Sequence, residues 1–131
     1  MERNHGFPKR ERIVSKKQIE TLFNGGNSCS VTAFPLRAVY MQKERQDTHE
    51  AVEVLVSVSK KRFHHAVDRN RVKRQVREAY RLQKSVIAER VPQDKTLDIA
   101  FIWLSDHHTP SADVSSRVKI LLERIGKRIK A

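Results

Sequence analysis

The 131-residue sequence predicts a mixed fold of helices and strands in the order α-β-β-α-β-α. Two segments, 30–41 and 51–59, alternate apolar with other residues, as half-buried strands do. The segment 97–104 is apolar at nearly every position, which is typical of a strand in the centre of a sheet. Two longer segments, 68–89 and 111–129, space their apolar residues three and four apart, which predicts amphipathic helices.

The N-terminal region is predicted to be a basic arm followed by a short helix. Residues 1–14 read as an extended arm, and Ser15 is a candidate N-cap with Gln18 completing a capping box. The pair Gly25-Gly26 is expected to end this helix. Pro35 predicts an edge position or a bulge near the start of the first strand, because proline cannot donate a ladder hydrogen bond.

Charge gives the first indication of function. The chain has 27 Lys and Arg against 15 Asp and Glu, a net charge of +12, and its length suits a single domain spanning 1–131. A small domain this basic is expected to bind a polyanion, with nucleic acid first and an anionic membrane surface second. No apolar run is long enough to span a membrane, and the charged N-terminus does not resemble a signal peptide, so we expect a cytoplasmic protein.

The helix predicted over 68–89 concentrates the basic residues on one side. At about 100° per residue, its apolar positions Val72, Val76, Ala79 and Tyr80 share one arc that should pack on the sheet. The opposite arc carries Asn70, Lys73, Arg74, Arg77, Arg81 and Lys84. A solvated charged face is the plain alternative, but such faces usually mix signs, whereas like charges four apart repel. An anionic partner that relieves this repulsion explains the pattern better, and phosphate suits it because arginine matches phosphate oxygens with a planar fork of donors.

A motif at the start of this helix resembles that of a known family. Ser57–Lys61, followed by Ala66–Arg74 and by Arg77-Glu78, is similar to the signature of the bacterial ribonuclease P protein family. Its most specific part is the Arg-Asn-Arg block at 69–71. The order and spacing of further segments agree, including Phe7-Pro8-Lys9, the helix ending at Phe23-Asn24-Gly25, Phe34–Arg37 and Asp98–Ile102.

The resemblance implies a fold and a division of labour. The fold is an α+β two-layer sandwich of order α-β-β-β-α-β-α with a left-handed βαβ crossover that carries the Arg-Asn-Arg helix. The function is that of the protein subunit of ribonuclease P, which promotes endonucleolytic removal of the 5′ leader from precursor tRNA. Hydrolysis would be carried out by the RNA subunit with Mg²⁺ held mainly by RNA, with no catalytic residue in the protein and no protein partner required.

The resemblance also implies two sets of contact residues. The first set would bind the ribonuclease P RNA: Lys60, Lys61, Arg62, Arg69, Asn70, Arg71, Lys73, Arg74, Arg77 and Arg81. The second would bind the leader of precursor tRNA: Lys9, Arg12, Ile19, Phe23, Phe34 and Arg37. Ile19 and Arg37 stand where the family often has aromatic residues, so leader binding here is expected to depend more on charge than on stacking. Without the resemblance, Phe23 and Phe34 would be interpreted as core residues.

Other classes of function and site find less support. A ribosomal protein can have the same size and charge, but it does not require the Arg-Asn-Arg block. A helix-turn-helix DNA-binding protein would have a helix before the basic helix, whereas this sequence predicts a strand there. A stand-alone nuclease would need clustered acids or histidines. The pairs His64-His65 and His107-His108 lack ligands at metal-binding spacing, so no protein-held metal is expected. The single cysteine, Cys29, is expected to be a half-buried, inert thiol.

Overall fold

The fold was analysed in a computed structural model that describes residues 16–24, 26, 28–45 and 50–129, without the side chains of residues 16–18 and 21. The predicted basic arm, the candidate cap at Ser15 and the C′ glycine at Gly25 lie outside these residues. The elements are α1 (Lys16–Asn24), β1 (Cys29–Ala33), β2 (Leu36–Glu44), β3 (Val52–Ser57), α2 (Ala66–Gln83), α3 (Ser85–Ala88), β4 (Lys95–Trp103) and α4 (Ser111–Ile129).

The four strands form one mixed sheet in the order β1-β2-β4-β3. β2 pairs antiparallel with both β1 and β4, whereas β3 and β4 are parallel neighbours. The connection between the parallel strands passes through α2 and α3, so a βαβ crossover carries the Arg-Asn-Arg helix. The expected α+β architecture is therefore confirmed, and β4 is central, as its apolar sequence predicts.

The single strand predicted over 30–41 is wrong, because the chain turns in the middle of it. Phe34 and Pro35 form a two-residue turn with a cis peptide bond, and β1 and β2 flank this turn as a hairpin. Proline fits a turn because its ring fixes φ and it has no N–H to leave unpaired. Phe34 consequently lies in the turn and not on the buried strand face. Of the two strands of this hairpin, β1 lies at an edge of the sheet, as Pro35 predicts, whereas β2 lies inside the sheet.

The main core lies between one face of the sheet and the helices α2, α3 and α4. Trp103 and Phe101 of β4 are almost fully buried there, together with Tyr80 of α2. A smaller apolar cluster lies on the other face, where Leu22 of α1 contacts the cluster's sheet residues Val39, Met41 and Ala100. The side chains of β2 and β4 are thus buried alternately on both faces, which explains why these two strands are the most apolar of the sheet.

The edge strand β1 is tied to the last helix by two arginines. Arg124 Nη1 donates to the carbonyl oxygen of Thr32 at 2.8 Å, and Arg128 Nη1 donates to that of Ser30 at 3.3 Å. Arg128 also hydrogen-bonds to the Tyr40 hydroxyl, and this contact raises the pKa of its guanidinium. Cys29, at the start of the same strand, is exposed, so the expectation of a half-buried thiol is wrong.

Candidate RNA interface

One end of the sheet carries the β1–β2 turn with Phe34 and the connection that leads into the predicted RNA-binding helix. The carboxyl ends of the parallel strands β3 and β4 lie at this end, and Leu36, the first residue of β2, pairs there with Trp103. Three segments therefore meet at this end: the β1–β2 turn, the basic connection 58–65 that leads into α2, and the loop 104–110 that leads into α4. A hydrogen bond of 2.8 Å from Leu104 N to the carbonyl oxygen of Pro35 joins the turn to the loop.

Helix α2 has the two faces that its sequence predicts. Its buried residues are Val72, Val76, Ala79 and Tyr80. Asn70, Arg71 and Arg74 are exposed, whereas Lys73, Arg77 and Arg81 are half-buried. The helix begins one turn before the Arg-Asn-Arg block and ends at Gln83, and the short helix α3 follows where the sequence suggested one continuous helix to residue 89.

Six of the predicted RNA-contacting cations have no ion-pair or hydrogen-bond partner for their side chains within the described part of the chain. They are Lys60, Lys61, Arg62, Arg71, Lys73 and Arg74, hereafter the basic patch. The first three occupy a turn in which Arg62 N donates to the carbonyl oxygen of Ser59 at 3.1 Å. These cations lie on the connection before α2 and on its first half, so the patch is concentrated at the amino end of the helix.

Other predicted contacts are engaged by the protein itself, Arg69 and Arg81 among them. Arg69 Nη1 donates to the carbonyl oxygens of Phe63 and His64 at 2.9 and 2.8 Å, which holds the connection against the first turn of α2. Arg81 Nε donates to Glu78 Oε1 at 3.0 Å, and this contact lowers the pKa of the Glu78 carboxyl. Arg69 and Arg81 thus have structural partners that the basic patch lacks.

The predicted leader contacts are divided between the α1 side of the sheet and the β1–β2 turn. Ile19 is half-buried and packs against the Leu22 cluster, whereas Arg37 lies exposed on the same sheet face. Phe23 is 39% exposed and Phe34 is 64% exposed, so interpreting either as a core residue is wrong. Two exposed aromatic rings are available for contact with bases. Lys9 and Arg12 lie outside the described residues.

A buried group of charged side chains that the sequence analysis did not predict lies on the α1 side of the sheet. Lys43 Nζ lies 3.1 Å from Asp98 Oδ2 and 3.6 Å from Glu53 Oε1, and both carboxylates are almost fully buried. The strand predicted over 30–41 stops short of Lys43, but β2 continues to Glu44. The alternation that places Arg37, Val39 and Met41 on this face extends to residue 43. Continuing the predicted strand by two residues would therefore have placed Lys43 on this face.

A second unpredicted group joins the loop 104–110 to the start of α2. His108 Nε2 lies 3.0 Å from Asp68 Oδ1, and the His108 ring stacks on Phe63 with centroids 4.6 Å apart. In the sequence these residues are 40 positions apart, and no local pattern links them. We call His108, Asp68 and Phe63 the loop junction.

The described ranges contain neither a cluster of metal-binding side chains nor a membrane-spanning helix. No group of three or more His, Cys, Asp or Glu side chains there is arranged to hold a metal ion. His107 is exposed and its Nε2 lies 3.3 Å from Asp106 Oδ1, whereas His64 and His65 are exposed beside the amino end of α2. None of the helices in these ranges is sufficiently long and apolar to cross a membrane.

Comparison with known proteins identifies the family. The sequence model of the Ribonuclease P family matches residues 7–126. This chain belongs to the ribonuclease P protein family. A ribonuclease P protein component from Porphyromonas gingivalis is 39% identical over 127 residues, which cover 95% of this chain and 89% of that protein.

Solved ribonuclease P proteins have the same fold. The Staphylococcus aureus protein aligns with a TM-score of 0.66 at 21% identity, covering 88% of this chain and 94% of that one. The Thermotoga maritima protein aligns with a TM-score of 0.66 at 24% identity, covering 87% and 96%. The architecture that the Arg-Asn-Arg resemblance implies is therefore the one observed.

Proposed function

We propose that this chain is a ribonuclease P protein subunit that binds the catalytic RNA through the basic patch and promotes removal of the 5′ leader from precursor tRNA. The observation that carries the proposal is the set of six cations at the amino end of α2 whose side chains have no partner among the described residues, three of them within or shortly after the Arg-Asn-Arg block. Unpaired cations this close together repel each other in the free protein. Phosphate groups would relieve that repulsion and release counterions from the RNA.

The protein's contribution would be binding and positioning. The proposal assigns hydrolysis to the RNA subunit, with Mg²⁺ held mainly by RNA. Two RNAs, the catalytic RNA and its substrate, carry phosphates that repel each other when they meet. A protein with net charge +12 would screen this repulsion and lower the Mg²⁺ concentration that the reaction requires.

Leader recognition is assigned to the α1 side of the sheet and the β1–β2 turn. Phe23 and Phe34 expose enough ring surface to stack on bases, and Arg37 supplies a cation on the same sheet face as the Leu22 cluster. Stacking tolerates every base because each has a π face, which suits a leader of variable sequence. This surface would favour precursor tRNA over the mature product, which lacks the leader. The assembly would act in the cytoplasm and need no further protein.

The proposal is tested by mixing the purified chain with a bacterial ribonuclease P RNA and precursor tRNA at low Mg²⁺. We expect the chain to accelerate cleavage of the leader over RNA alone. A variant with Arg71 and Arg74 changed to Ala should lose most of this acceleration. The matched control changes Lys119, an exposed cation of α4, to Ala and should leave it intact.

Two results would contradict the proposal. No acceleration by the wild-type chain would remove the assignment to ribonuclease P and leave a general RNA-binding protein. Cleavage by the protein without RNA subunit would show that the chemistry belongs to the protein.

A further inference from the structure

The first turn of α2 is held in place by the loop junction. The helix is preceded by His65 at its N-cap, and that side chain makes no capping hydrogen bond. Helix starts that lack a side-chain cap fray more easily, because their first N–H groups have no partner. The Arg-Asn-Arg block begins within this turn, so its geometry depends on contacts made from outside the helix.

His108 provides such contacts in two ways. Its Nε2 lies 3.0 Å from Asp68 Oδ1, and because a carboxylate only accepts, this nitrogen carries the proton. The ring also stacks on Phe63, with 18° between the planes. The His108 side chain is 27% exposed and that of Asp68 is 37% exposed, so the contact is partly shielded from water.

A second pair of contacts holds the same loop to α2 about two turns further on. Gln75 Nε2 donates to the carbonyl oxygen of Thr109 at 2.9 Å and to Ser111 Oγ at 3.0 Å. The loop is therefore fixed to α2 at two points along the helix, Asp68 and Gln75. Gln75 therefore holds the segment next to His108 through contacts that do not involve the first turn of α2.

We infer that His108 is a positioning residue: through Asp68 and Phe63 it fixes the first turn of α2 and the connection before it, so that the basic patch meets RNA with its cations already in place. The inference rests on the proposed RNA-binding function and adds a residue that lies outside the basic patch. Arg69, which donates to the carbonyl oxygens of Phe63 and His64, ties the connection to the same turn from the other side.

Hydrogen exchange of the free protein tests the structural half of the inference. His108→Ala should speed exchange at amides 68–71 about fivefold, less than a shielded hydrogen bond to a charged group would give, because Asp68 is over a third exposed. Exchange at the amides of β4, which report global unfolding, should not change. Asp68→Ala should also speed local exchange, and the double variant should exchange no faster than His108→Ala, because the hydrogen bond that Asp68→Ala breaks is already lost there.

RNA binding tests the functional half. His108→Ala should weaken binding to a bacterial ribonuclease P RNA transcript about fivefold while leaving the dependence of affinity on salt unchanged, since no phosphate contact is lost. His108→Gln, which keeps a donor for Asp68, should recover part of the affinity. His107→Ala is the matched control, because that side chain is 87% exposed and pairs only with Asp106 among the described residues.

The outcomes separate this inference from the proposed function. If wild-type protein binds the transcript and His108→Ala binds equally well, the inference is wrong and the proposed function stands. A weaker salt dependence in His108→Ala would make His108 a direct phosphate contact and also overturn positioning. If the wild-type chain fails to bind the transcript, the proposed function fails and the inference fails with it.

Discussion

Replacing Arg74 by Ala tests whether the basic patch meets phosphate. Arg74 is exposed on α2 and has no side-chain partner within the described residues, so its loss should cost the fold little. Each phosphate contact contributes about 0.7 to 0.9 to the slope of log affinity against log salt. The six cations of the basic patch therefore predict a total slope of about −4 to −5 for the wild-type protein.

Arg74→Ala should reduce the magnitude of this slope by the contribution of one phosphate contact, about 0.7 to 0.9. Between about 50 and 200 mM salt, the affinity advantage of the wild-type protein over the variant should then shrink about threefold. The assay is equilibrium filter binding or fluorescence anisotropy with ribonuclease P RNA at several salt concentrations. Lys119→Ala removes the same charge from α4 and controls for the change in net charge.

The slope distinguishes a phosphate contact from a general effect. If Arg74→Ala weakens binding equally at every salt concentration, the side chain does not contact phosphate and the reasoning from unpaired cations fails for it. If Lys119→Ala reduces the slope by the same amount, net charge and not the basic patch governs binding.

Three further predictions concern the leader surface, one ion pair and the core. Phe23→Ala should weaken binding of leader-bearing precursor tRNA more than that of mature tRNA, by up to about 1–3 kcal/mol if the ring stacks on a base; equal losses would remove Phe23 from the leader surface. Arg81 lowers the pKa of the Glu78 carboxyl, so the stability from this pair is present above the carboxyl's unfolded pKa and lost as the pH falls through the folded value. In Arg81→Ala, a carbon-detected NMR titration should show that pKa moving upward, and no movement would refute the assignment. Leu121→Ala should lower the free energy of unfolding in urea by about 2–5 kcal/mol because Leu121 is fully buried, whereas Ser116→Ala on the exposed side of α4 should change it little; similar effects would contradict the packing.

The sequence predicted those parts of the fold that local periodicity determines. The buried arc of α2 was predicted residue by residue, because a helix repeats its faces at a fixed angle. The central position of β4 followed from its apolar composition. The alternation predicted in the second half of 30–41 is present in β2, where Leu36, Ala38 and Tyr40 are buried in the main core. Phe34 continues the same alternation although it lies in the turn, and this concealed the turn.

The candidate site was predictable only where its residues are close in sequence. The basic patch could be found because its members are neighbours on one helix and on the connection before it. The loop junction could not, because His108 and Asp68 meet only after β4 and α2 have packed. The same reason applies to Lys43, Glu53 and Asp98, which come from three different strands. Engagement of Arg69 by backbone carbonyls was equally invisible, since the motif gives residue types without their partners.

The arginines that bind β1 also shield an open edge of the sheet. A strand at the edge of a sheet offers open backbone groups that another chain can pair with, which begins aggregation. Arg124 and Arg128 already occupy the carbonyl oxygens of Thr32 and Ser30, and they place positive charge along that edge. A second molecule approaching there would have to displace both arginines and overcome like-charge repulsion. Helix α4 thus covers backbone acceptors of β1 with which a second chain could otherwise pair.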